Sequence, residues 1–89
     1  MITKKMYLLE YRRKEYRFHS SDDWIMLGKA WTEVAIRRQM DEFYNLFIQQ
    51  VKQEDTFNTS NIYPDLAIIE FKGGVIQLKI SQVEFEDYE

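Results

Sequence analysis

Leu66-Ala67-Ile68-Ile69-Glu70-Phe71-Lys72-Gly73-Gly74-Val75-Ile76-Gln77-Leu78-Lys79-Ile80-Ser81 is the stretch on which the reading of the fold turns. Apolar and polar residues alternate on both sides of a Gly-Gly pair, a favoured two-residue connection between antiparallel strands. With the turn on Gly73-Gly74, Phe71 faces Ile76, Ile69 faces Leu78 and Ala67 faces Ile80, so one side of the ribbon is apolar. Glu70 faces Gln77 on the other side and lies diagonal to Lys79. A ribbon with one apolar face needs a second layer to cover it. After Ser81 the alternation slips, because Val83 and Phe85 take the phase of Lys79. That slip predicts a bulge near Ser81-Gln82 or departure of the chain from the sheet.

The covering layer is sought upstream. Residues 54–64 read as a polar connection interrupted by Phe57, Ile62 and Tyr63, and Pro64 disfavours helix at Tyr63. Before it, helical periodicity runs from about residue 22 to residue 53, with Ser20-Ser21-Asp22-Asp23 as the capping start. At about 100° per residue, Trp24, Leu27, Trp31, Val34 and Ala35 share one apolar stripe. Ile36, Met40, Phe43, Phe47 and Val51 share another on nearly the opposite side, with Tyr44 at its edge. Arg38, Glu42, Asn45 and Gln49 fall where the first stripe would have continued. Either the helix breaks near 37–41, or it is continuous and its second half packs on another copy of the chain. No Gly or Pro lies between Ile36 and Met40, which favours continuity with a partner. A continuous helix would be about 45 Å long at 1.5 Å per residue.

The N-terminal segment reads as a first hairpin over about residues 5–19. Tyr7, Leu9 and Tyr11 alternate with Leu8 and Glu10, and Tyr16 and Phe18 alternate with Arg17 and His19. A turn centred on Arg13-Lys14 sets Tyr11 across from Tyr16 and Leu9 across from Phe18. On the other face it sets Arg12 against Glu15 and Glu10 against Arg17, both opposite in sign. Arg-Lys is not a favoured hairpin loop, so a four-residue loop with the same register is the alternative. The fold class expected is therefore α+β in the order ββ-α-ββ, an antiparallel sheet with a helix packed on one face. One domain spans 1–89, ending in an acidic tail at 82–89.

Eighty-nine residues, 45% hydrophobic and 16% aromatic, suffice for one core without staples. There is no cysteine, so disulfides, thiolate metal sites and cysteine nucleophiles are excluded, and a reducing compartment, the cytoplasm, is expected. No uninterrupted apolar stretch follows Met1, so a signal peptide is not expected, and no run approaches membrane-spanning length. The net charge of −3 is unevenly spread. Lys4, Lys5, Arg12, Arg13, Lys14 and Arg17 stand against Glu10 and Glu15 in the first twenty residues, and the rest of the chain is acidic.

Catalytic equipment is not legible. His19, the lone histidine, has no Ser-His-Asp or Glu-His context, and one histidine without cysteine cannot build a normal zinc site. The pairs Asp22-Asp23, Asp41-Glu42 and Glu54-Asp55 point about 100° apart on a helix, so they do not converge on one bond or ion. Gly73-Gly74 lacks the lysine and the strand-to-helix context of a phosphate loop. Trp24 and Trp31 read as core. No enzyme activity, metal or cofactor is expected.

The expectation for function is a small acidic protein-interaction module, homodimeric, that binds or occludes a partner protein as an inhibitor or adaptor does. Its contact surface would be the second stripe (Met40, Phe43, Tyr44, Phe47, Val51), rimmed by Asp41, Glu42, Glu54 and Asp55. The alternative is nucleic-acid binding through Arg12, Arg13, Lys14 and Arg17 on the basic-aromatic first hairpin. Against it, the hairpin register turns Tyr11, Tyr16 and Phe18 away from the basic side chains, and the isoelectric point is about 5.2.

Overall fold

The alternation Tyr7-Leu9-Tyr11 does not turn back at Arg13-Lys14 but runs on as a single strand. In a computed structural model describing residues 2–16 and 23–87, β1 spans Ile2–Glu15 and pairs along its whole length with β5, Gly74–Asp87. Between them lie β2 (Ile25–Ala30), α1 (Glu33–Gln53), β3 (Phe57–Ile62) and β4 (Leu66–Phe71). The five strands form one antiparallel sheet in the order β2-β1-β5-β4-β3, and α1 covers one face. The architecture is thus α+β with a helix on an antiparallel sheet.

Several boundaries differ from those expected. Arg13 and Lys14 pair with Ile76 and Val75, so the first turn does not fall there, and the return strand of the hairpin is β2. The expected partners Arg17 and Phe18, together with His19 and the capping residues Ser20 to Asp22, lie outside the described residues. Tyr16 follows β1 as a turn residue, its amide donating to the Gly73 carbonyl at 2.8 Å.

The helix begins eleven residues later than the periodicity suggested, at Glu33 instead of about residue 22. Thr32 is its cap, with Oγ1 accepting from the Ala35 amide at 3.2 Å, and Glu33 and Lys52 complement the two ends of the dipole. Residues 25–30 are strand, so Trp24, Leu27 and Trp31 of the first stripe lie before the helix, and only Val34 and Ala35 share α1 with the second stripe. The reversal that suggested a break or a second copy is a strand-to-helix boundary. The helix runs unbroken through 37–41 and is about 31 Å long at 1.5 Å per residue.

One core lies between α1 and the sheet. Ile36, Met40 and Val51 meet Leu9, Ala67, Ile69, Phe71, Ile76 and Leu78, all buried. The β4–β5 hairpin keeps the expected faces but is shifted by two residues: Ile69 pairs with Ile76 and Ala67 with Leu78. An even shift preserves sidedness. Only Gly73 takes a positive φ, 97°, in the turn. Gly74 is needed for another reason, since a Cβ there would lie 2.2 Å from the Lys14 carbonyl oxygen of β1.

Two segments not read as strands, the loop 54–64 and the acidic tail 82–89, contain them. Within the expected loop 54–64, Phe57–Ile62 forms the edge strand β3, with Thr59 Oγ1 donating to Glu70 at 3.0 Å. Within the expected acidic tail, residues 82–87 continue β5 without a bulge, and Lys5 lies 3.6 Å from Glu84. The slip in alternation has a simple cause. Beyond β4 the strand leaves α1 behind, and Val83 pairs with Met6 on the face away from the helix. Residues 2–6 and 83–87 form a two-stranded arm, and the 52 Å long dimension matches a strand of this length, about 48 Å for fourteen residues.

Candidate functional site

Strand alternation divides the sheet into a helix side and an open side. Tyr7, Leu9, Tyr11 and Arg13 of β1 face α1; Leu8, Glu10, Arg12 and Lys14 face away. The same rule places Gln77 and Lys79 of β5, Ile68 and Glu70 of β4, and Met26 and Lys29 of β2 on the open side. Among described strand side chains that side carries five cations (Lys4, Arg12, Lys14, Lys29, Lys79) and two carboxylates (Glu10, Glu70). In a chain of net charge −3 this face is positive. The outer layer is the reverse: α1 and its C-terminal cap carry Glu33, Asp41, Glu42, Glu54 and Asp55 against Arg37, Arg38 and Lys52. The charge splitting seen along the sequence is a splitting between two layers.

At the centre of the open side lies Trp24, half-buried. The Arg12 guanidinium carbon is 4.5 Å and the Lys79 ammonium nitrogen 4.2 Å from its ring centroid. Arg12 Nε donates to Gln77 Oε1 at 2.5 Å. Gln77 stands directly across from Arg12 in the β1–β5 register, so the amide fixes the guanidinium over the two central strands. Lys79 stands across from Glu10, whose carboxylate instead accepts from the Ser81 hydroxyl at 3.3 Å. Neither Arg12 nor Lys79 forms a salt bridge with a carboxylate of the described residues. Leu8, Ile68 and Val75 are half-buried apolar residues on the same side of the sheet, in the rows beside the cluster.

The expected contact stripe lies elsewhere. Met40 and Val51 are buried in the core, and Phe43, Tyr44 and Phe47 pack against it, with Phe47 5.2 Å from the Tyr11 ring. These five side chains are the inner face of α1, so they do not form the exposed surface assigned to them, because the sheet itself covers the stripe. Asp41, Glu42, Glu54 and Asp55 are exposed on the outer layer, the first two mid-helix and the last two past its C-terminus. They are not a rim around one patch. Of the basic residues, Arg12 and Lys14 share the open side, whereas Arg13 lies on the helix side, 4.7 Å over the Phe71 ring and 3.1 Å from Glu15. Trp31, expected in the core, is 61% exposed, and Trp24 is on the opposite side of the sheet from the core.

Arg12 and Lys14 are legible in the sequence by their charge, whereas the placement of Trp24, Gln77 and Lys79 beside Arg12 is not. Only the β1–β5 register could have joined them, and that pairing links residues sixty-five apart. Catalytic arrangements do not emerge among the described residues. No group of three or more metal-ligating side chains converges. A cleft of about 430 Å³ holds Arg13, Glu15, Glu54 and Thr56, but Glu15 is engaged by Arg13 and the Thr56 hydroxyl donates to the Val51 carbonyl. A cleft of about 510 Å³ between α1 and the β1–β2 edge is lined by Tyr11, Ile25, Phe47 and Ile76, with Arg13 and Asp23 as its charged groups. Among the described residues no helix is long and apolar enough to cross a membrane. Compared with known proteins, the chain matches no family model, no curated protein and no solved structure.

Proposed function

We propose that the chain is a non-catalytic protein-interaction module that binds or occludes a partner with the open side of its sheet. The observation that carries this reading is the Arg12–Trp24–Lys79 cluster, two cations without carboxylate partners among the described residues, held on one indole at the centre of an uncovered sheet face. Aromatic and arginine side chains ringed by apolar neighbours are the composition of binding hot spots. The cysteine-free composition fits a cytoplasmic setting. A second copy is no longer required to cover the helix stripe, so the partner is taken to be a different protein.

Nucleic-acid binding is the second reading. It gains from the same cluster, because an indole and several cations now lie on one face instead of opposite ones. Capture from a nuclease-treated extract of the source cell separates the two. A protein should be retained by the wild type and by Leu46→Ala on the outer helix face, and lost with Trp24→Ala. Capture that survives Trp24→Ala, or that nuclease abolishes, rejects the protein-interaction reading.

A further inference from the structure

The chemistry of the open side narrows the kind of partner, given that this side is the contact surface. Arg12 and Lys79 project from the two central strands, and among the described residues their side chains engage Trp24 and, for Arg12, Gln77. Glu10, the carboxylate that could neutralise Lys79, is turned to Ser81. Cations in this state are complemented by anionic groups arriving from outside. Apolar Leu8 and Ile68 stand in the rows beside them, half-buried and uncovered by α1.

We infer that the element seated here is an extended acidic segment of a partner protein, its carboxylates meeting Arg12 and Lys79 and its apolar side chains lying on Leu8 and Ile68. Two features favour protein over single-stranded nucleic acid. The Arg12–Lys79 cluster holds one aromatic ring, Trp24, whereas a strand of bases is held by successive stacking platforms. The chain as a whole is also negative, which opposes a polyanion at long range but leaves a short acidic segment free to use a local positive field. A second copy docking face to face is disfavoured, because both faces would be positive.

The test uses Trp31→Phe protein, so that Trp24 is the sole indole reporter, titrated at low salt with a short synthetic peptide of alternating glutamate and valine, and separately with oligothymidylate. The peptide is expected to shift Trp24 fluorescence saturably. Arg12→Gln with Lys79→Gln should weaken it at least tenfold. Lys79→Gln alone, which removes no hydrogen bond, should weaken it about threefold or more. Arg37→Gln with Arg38→Gln, the same change of charge on the helix layer, should leave it within twofold. No response to the peptide, equal loss in both double variants, or tighter binding of oligothymidylate overturns the inference. If the peptide fails while Trp24→Ala still abolishes capture of a cellular protein, the contact surface stands and only the acidic partner is refuted; if both fail, the surface is refuted as well.

Discussion

Replacing Met40 with alanine separates the two roles that the apolar stripe of α1 could have. Met40 is 2% exposed and sits in the core formed by Ile36, Leu9, Ile76 and Leu78. Alanine keeps the helix propensity, so the change removes side-chain packing and leaves a cavity. Such truncations cost 2 to 5 kcal/mol, and about 3 kcal/mol is expected at a site already hemmed in by a continuous sheet. For a domain of this size that lowers the melting temperature by about 12 to 24 °C. Val34, on the outer face of the same helix, is 70% exposed, and Val34→Ala should change stability by less than about 0.5 kcal/mol. Thermal melts followed by circular dichroism, with sedimentation of both variants beside the wild type, read the difference. The same oligomeric state is expected for all three proteins. A Met40→Ala variant that melts with the wild type but differs from it in oligomeric state would refute the assignment of this stripe to the core.

Further outcomes follow from single positions. Gly74→Ala should destabilise by about 1 to 3 kcal/mol through overpacking, since its Cβ would meet the Lys14 carbonyl at 2.2 Å and Phe71 Cζ at 2.7 Å. Gly73→Asn, at φ 97° with open space around it, should cost less in the same denaturant titration, and the reverse order would contradict the register. Thr32→Ala should cost about 1 kcal/mol by loss of the cap on Ala35, and an unchanged urea midpoint would place the helix start elsewhere. Amides of the arm, residues 2–6 and 83–87, should exchange with deuterium far faster than those of Leu9 and Leu78, because a lone ribbon is marginal in water.

The places where sequence and structure part have identifiable causes. The faces of β4 and β5 were legible because alternation alone sets sidedness; the register was not, because one glycine of the pair serves close approach to β1 and not the turn. Strand β2 was hidden by chance, since Trp24, Leu27, Trp31 and Val34 fall at helical spacing. Gly28, costly inside a helix, was the contrary signal. It sits where a side chain would meet Gln39, whose amide donates to the Lys29 carbonyl. Thr32-Glu33 was the true helix start and lay within an apparently unbroken period. The polar edge strand β3 gave no apolar alternation to read, and its formation depends on pairing with β4. At the candidate site, Arg12 and Lys14 stood out by charge. Trp24 and Lys79 reach them only through the pairing of the chain's two ends, which no local pattern encodes.

The claim that the open side of the sheet is the contact surface can be tested on the intact chain in the cell. A photo-cross-linking residue is placed at Glu70, on the open side beside the cluster, or at Asn45, exposed on the outer face of α1. Irradiation is predicted to yield a discrete protein adduct from position 70 and none from position 45. Adducts from position 45 with none from position 70 would contradict the account.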